Sequence, residues 1–163
     1  MNTVLNVKDL CKTYIVNKRQ NNVLRNVSFQ VFEGEMVAIM GPSGSGKSTL
    51  LYALSGMDKA TAGSVIYNDL DLTKIKENEL AKLRHTDFGF IFQQMHLVNN
   101  LSLFENIVVS GYLNKDKKVA EVNSKANELL ELMGISHVKK HLPSQVSGGE
   151  QQTGGDADHP GCV

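Results

Sequence analysis

No run in this chain approaches the ~20 apolar residues that cross a bilayer, and its start, MNTVLNVKDLCKTY, lacks a basic segment followed by a long apolar one. Neither a membrane span nor a secretory leader is expected. Work at a membrane would need a partner to hold the chain there. An excess of one charge is also missing. Lysine plus arginine, and aspartate plus glutamate, number 17 each. That balance gives no reason to expect nucleic acid or an anionic bilayer as partner. Cysteine is scarce: Cys11 and Cys162 have no zinc-like spacing, and Cys-x-x-Cys is absent. A reducing compartment fits, with Cys11 a small core residue. The histidines (His85, His96, His137, His141 and His159) form no ligand pattern. His137 and His141 lie four apart but flank two lysines, which reads as solvated surface. Repeats and low-complexity segments are absent as well.

What is present is globular. The 163 residues are 41% hydrophobic and 21% charged, enough for one domain or part of a larger one. Val4, Leu5, Val7 and Leu10 suggest a first strand. Leu24, Val27, Phe29 and Val31 alternate as a half-buried second one, and Glu33-Gly34-Glu35 reads as a turn. Met36 to Met40, MVAIM, is a short continuous apolar run, the pattern of a parallel strand buried on both faces. Leu50, Leu51, Ala53 and Leu54 then follow helical spacing, with Gly56 as a stop. GSVIYND is another strand and turn. KENELAKLR predicts a helix with Leu80 and Leu83 on one side, and FGFIFQQ a further apolar strand ending at Gln93. LSLFENIVVSGYL predicts a helix capped by Ser102, with Glu105 three residues on. Residues 116–133 carry the clearest helical stripe: Val119, Val122, Ala126, Leu129, Leu130 and Met133, closed by Gly134.

Between MVAIM and the helix lies GPSGSGKS, Gly41 to Ser48, which matches G-x-x-x-x-G-K-[ST]. Strand before and helix after are the context the chemistry requires. Gly41, Gly44 and Gly46 allow the backbone to curl, with Pro42, Ser43 and Ser45 between them. The curl turns successive N–H groups inward as an anion nest. The following helix adds partial positive charge at its N-terminus. Lys47 reaches the β- and γ-phosphates, the Ser48 hydroxyl suits Mg²⁺, and Thr49 completes the loop. The pattern specifies a nucleoside triphosphate without specifying the class of NTPase.

Tyr14 in CKTY, Gln93 at the end of FGFIFQ, and VSGGEQQ from Val146 to Gln152 narrow the class. With the phosphate loop they resemble, in order, the motifs of the ATP-binding cassette (ABC) ATPases. VLRNVSFQVFEGEMVAIMGPSGSGKSTLL and FGFIFQQMHLVNNLSLFENI look like the subgroup serving lipoprotein-release, macrolide-efflux and antimicrobial-peptide transporters. The resemblance covers residues 3–152. It implies an α/β P-loop NTPase fold with an N-terminal antiparallel β subdomain and an α-helical subdomain. The boundaries expected are 1–152 for the ATPase domain, 93–147 for the helical subdomain within it, and 153–163 for a disordered, non-family tail.

The resemblance also implies roles. Tyr14 would stack on adenine. Gln93 would touch Mg²⁺ and the attacking water and report nucleotide state. Ser147, Gly148 and Gly149 would close over ATP held by the opposite subunit of a head-to-tail dimer, with Glu150 beside them where glutamine is commonest. Val146 stands where leucine is commonest. Partners would be transmembrane permease subunits and a second cassette, with no nucleic acid. The location would be the cytoplasmic face of the membrane.

After Gln152 the pattern stops. The family continues with a basic, Val- and Ala-rich helix, an apolar strand ending in the magnesium-binding Asp, the catalytic Glu and the switch His. This chain reads TGGDADHPGCV, where Asp156 and Asp158 follow no apolar strand. No catalytic residue is therefore expected in the chain, which would be incomplete at its C-terminus and marginal in stability. Moving the reading frame by one nucleotide permits Arg-Val-Ala directly after Gln152, so a frameshift is one origin for the tail. The expected function is the ATP-binding subunit of an ABC transporter; the alternative is a nucleotide-binding fragment without hydrolysis.

Overall fold

A computed structural model describes residues 2–92, 97–112 and 117–157. Two compact units divide the chain at 82/83. The first is built on a four-stranded antiparallel sheet in the order β2-β1-β3-β4. Its strands are β1 (Thr3–Val16), β2 (Arg19–Phe32), β3 (Ala62–Tyr67) and β4 (Leu70–Asp71), and helix α1 (Lys47–Leu54) lies between β2 and β3. Helix α2 (Glu77–Thr86) crosses the boundary between the units.

β1 and β2 form a long hairpin. Asn17 and Lys18 at its tip have φ of 50° and 62°, the left-handed pair that suits a two-residue turn to strand twist. Strict alternation along β1 would put Val7 and Leu10 on opposite faces, yet both are buried. The extra residue is Asp9, at φ 48°, where the β1–β2 register shifts. Asn26, at φ 49°, does the same on β2. Such bulges turn a mismatched period into one apolar face. Leu24, Leu50, Ala53, Val65, Leu72 and Leu80 complete this unit's core. Cys11 is only partly buried, and its Sγ donates to Asn26 Oδ1 at 3.0 Å. It is a bulge residue more than the core residue expected.

The predicted strand Met36–Met40 is not a strand. Residues 35–41 carry no regular structure, and Met36 and Met40 are 97% and 88% exposed. An apolar run becomes a buried strand only when neighbours satisfy its backbone on both sides. Among the described residues no parallel ladder is present. FGFIFQQ departs from expectation for the same reason. Residues 88–92 are irregular, Ile91 is 72% exposed, and Phe90 stacks on Phe92 with centroids 5.8 Å apart.

The second unit is helical: α3 (Leu103–Tyr112), α4 (Val119–Leu132) and α5 (Gly148–Ala157), with short 3-10 turns at Ser136–Val138 and Pro143–Gln145. Its core joins Ile107 and Val108 of α3, Val122, Ala126, Leu129 and Leu130 of α4, Ile135, and Ala157 of α5. Val119, expected in the stripe, lies exposed at the first turn. The Ser102 cap is present as predicted. Its hydroxyl donates to Glu105 Oε2 at 2.7 Å and accepts the Glu105 amide at 3.2 Å.

Disorder was expected from residue 153, but α5 continues through Thr153 to Ala157. Four glycines give the helix poor intrinsic propensity, and packing overrides that. Gly154 lies against Leu103, Ala157 is fully buried, and Gln152 Nε2 donates to Asp156 Oδ1 at 3.0 Å. Residues 158–163 lie outside the described residues.

Asn106 is the polar pin of this unit. It is 1% exposed; its Oδ1 accepts the Val98 amide at 2.7 Å, and its Nδ2 faces the carbonyls of Val98, Leu101 and Ser102 at 3.2, 3.0 and 3.0 Å. Asn106→Ala is expected to destabilise the chain by about 1–3 kcal/mol for each buried group left unpaired. The urea midpoint should fall with little change in slope.

Candidate functional site

The phosphate loop forms where the motif placed it. Gly41, Gly44 and Gly46 all take positive φ, at 154°, 78° and 92°. Gly46 is the N-cap of α1, and its carbonyl accepts the first helical bond from the Leu50 amide at 2.8 Å. A Cβ at Gly46 would lie 3.0 Å from Val23 Cγ1 and 3.3 Å from its carbonyl. Glycine is therefore required twice over, by backbone angle and by the close approach of β2. Ser45 N–H donates to the Pro42 carbonyl at 3.2 Å, closing the turn.

Lys47 opens α1. Its Nζ donates to the carbonyls of Gly41 and Pro42, both at 2.9 Å, which seats the ammonium over the loop. Ser48, one residue into the helix, is exposed, as are Pro42, Ser43 and Ser45, while Thr49 is half-buried. No acidic side chain occupies the first turn of α1. Positive φ, a free helix start and a seated ammonium fit a triphosphate, and the Ser48 hydroxyl supplies an oxygen suited to a hard cation.

Tyr14 stands near this helix. Its hydroxyl donates to Asp58 Oδ2 at 2.6 Å. Lys12 and Asp58, not singled out from the sequence, surround it. Lys12 had a readable signal, since residues two apart on a strand share a face. Asp58 had none, because its contact arises only from the fold. Gln93 lies outside the described residues.

Ser147, Gly148, Gly149 and Glu150 form the start of α5. The serine and both glycines are exposed, and a Cβ on either glycine would meet nothing within 4 Å. Ser147 caps the helix: its hydroxyl and amide donate to Glu150 Oε2 at 2.7 and 2.8 Å, and its Oγ accepts the Glu150 amide at 3.3 Å. The hydroxyl expected to face a phosphate is thus directed at a carboxylate. His137 Nε2 lies 3.2 Å from Glu150 Oε1.

The phosphate-loop geometry defines a P-loop nucleotide-binding protein. A family model described as ABC transporter matches residues 24–154. Two solved structures are similar: the dimeric post-hydrolysis state of the ATP-binding cassette MJ0796 bound to ADP and Pi, and the dimeric structure of MJ0796, a bacterial ABC transporter cassette. In each case identity is 34% and the TM-score 0.87, and the match covers 94% of this chain and 68% of the other. The chain belongs to the ABC transporter family. Its fold is that of the ABC ATPase cassette, and its function is that of a transporter's ATP-binding subunit.

The Ser147 bonds, side chain before backbone, hold the Glu150 carboxyl below its ordinary range, with His137 adding to them. The cap is therefore complete above the usual carboxylate range and is lost as pH falls through the lowered folded-state value. Protection of the Ser147 amide from hydrogen exchange, referenced to its intrinsic rate at each pH, is expected to disappear across that acid window. Glu150→Ala should abolish it at neutral pH.

Proposed function

We propose that this cassette serves an exporter of the lipoprotein-release, macrolide-efflux or antimicrobial-peptide type. It binds Mg-ATP through Tyr14, residues 41–49 and Gln93. Ser147, Gly148, Gly149 and Glu150 act on nucleotide held by a second cassette, and permease subunits hold the assembly at the cytoplasmic face of the membrane. The carrying observation is the loop itself, where Gly46 turns the chain into α1 and Lys47 sits over the curl. The exposed, glycine-opened start of α5 supports the signature role, because free N–H groups at a helix start suit an anion. The MJ0796 cassette, bound to ADP and Pi as a dimer, supports both the ligand and the pairing.

Hydrolysis needs more than the loop. Phosphoryl transfer depends on positioned charge and an oriented water. The one described carboxylate beyond the signature, Asp156, lies on a helix and accepts a bond from Gln152. In this reading the residues present bind nucleotide without turning it over.

Calorimetric titration with Mg-ATP is expected to show saturable binding. Lys47→Ala, which removes the seated ammonium, should weaken it about tenfold or more, the worth of one charge-assisted contact. Phosphate release should stay at background. Brisk turnover by the purified chain contradicts the second part of the reading, and binding unchanged by Lys47→Ala contradicts the first.

A further inference from the structure

Lys12 is nearly buried, at 8% exposure, on the strand that carries Tyr14. A buried ammonium is tolerated only when its protons are satisfied. Here Nζ donates to Asp58 Oδ1 and, at 2.7 Å, to the Lys59 carbonyl. The same Nζ lies 4.8 Å from the Tyr14 ring centroid, within cation–π reach. The second Asp58 oxygen, Oδ2, accepts the Tyr14 hydroxyl at 2.6 Å. One carboxylate therefore grips the tyrosine at its hydroxyl and, through Lys12, against its face.

The bracket is itself anchored. Asp58 N–H donates to the Tyr52 carbonyl of α1 at 3.1 Å, fixing it to the helix that leaves the phosphate loop. Thr61 N–H donates to the Cys11 carbonyl at 2.8 Å, and Thr13 N–H to Thr61 Oγ1 at 2.9 Å, joining β1 to the segment after Asp58. Tyr14 is thus tied, through Asp58, to the helix whose start would hold phosphate.

We propose that Lys12 and Asp58 are positioning residues for the nucleotide base, fixing the Tyr14 ring at a set attitude to the phosphate loop. The proposal rests on the nucleotide-binding reading above and goes beyond it. With the ammonium over one face, a purine stacks only on the other, so the bracket selects the stacking face as well as the ring angle. An untethered ring would lose rotational freedom on binding, and a tethered one has lost it already. The ionisation states suit this role. The Asp58 bond, then desolvation, raise the Tyr14 phenol, so it stays a donor. Desolvation opposes ionisation of Asp58, but bonds from Lys12 and Tyr14 outweigh it and keep the carboxylate charged.

The test compares Mg-ATP with magnesium tripolyphosphate, which has the phosphates and no base, on the full chain. Tyr14→Phe keeps the ring and the Lys12–Asp58 pair and removes only the hydroxyl tether. It is expected to weaken ATP binding about three- to tenfold, the worth of one hydrogen bond, and to leave tripolyphosphate within about twofold. Asp58→Asn should do the same, and in a Tyr14→Ala background it should add nothing further. If Asp58→Asn unfolds the chain by circular dichroism, Tyr14→Phe decides alone. Unchanged ATP binding by folded variants, or equal loss of both ligands, overturns the proposal. Wild-type chain that binds the two ligands equally overturns it while leaving the phosphate reading intact. Wild-type chain that binds neither overturns both.

Discussion

The left-handed turn at Gly46 is the constraint on which the functional part of this molecule depends. It ends the loop, caps α1 and leaves the first N–H groups of the helix unspent. A side chain there would oppose the backbone angle and strike Val23 of β2. The long β1–β2 hairpin therefore serves the loop as a wall as much as a sheet. The phosphate nest, the seated Lys47 and the tethered Tyr14 all follow from where this turn aims α1.

The loop keeps its shape although the segment before it is not in a sheet. Its fixing bonds are local: Ser45 to Pro42, Leu50 to Gly46, and Lys47 to Gly41 and Pro42. Residues 36–40 have no such local bonds, and Met36, Val37 and Met40 face water. Exposed apolar backbone of this kind is a site for association.

Legibility in the sequence divided along the same line. The helix Val119–Leu132, expected over 116–133, and the Ser102–Glu105 cap were readable because their causes lie within a few residues. The loop was readable because each motif residue has its own local duty. MVAIM and FGFIF were misread as strands because an apolar run states only that a partner is wanted. The helical course of 153–157 was missed because its cause is tertiary, the contact of Gly154 with Leu103 and the burial of Ala157. Lys12 and Asp58 lie 46 residues apart, and no spacing in the sequence pairs them. The Ser147–Glu150 cap has the same S-x-x-E spacing as Ser102–Glu105, so its geometry was available. What the signature resemblance hid is that the serine hydroxyl is occupied by the carboxylate.

The most direct test of the account is the map of backbone amide shifts by NMR as Mg-ATP is added to the folded chain. The account places the largest changes at residues 44–49, where N–H groups would meet phosphate, with a second group around Tyr14. Amides of 44–49 that stay still under saturating Mg-ATP, in a chain whose hairpin and α4 signals are intact, would contradict it.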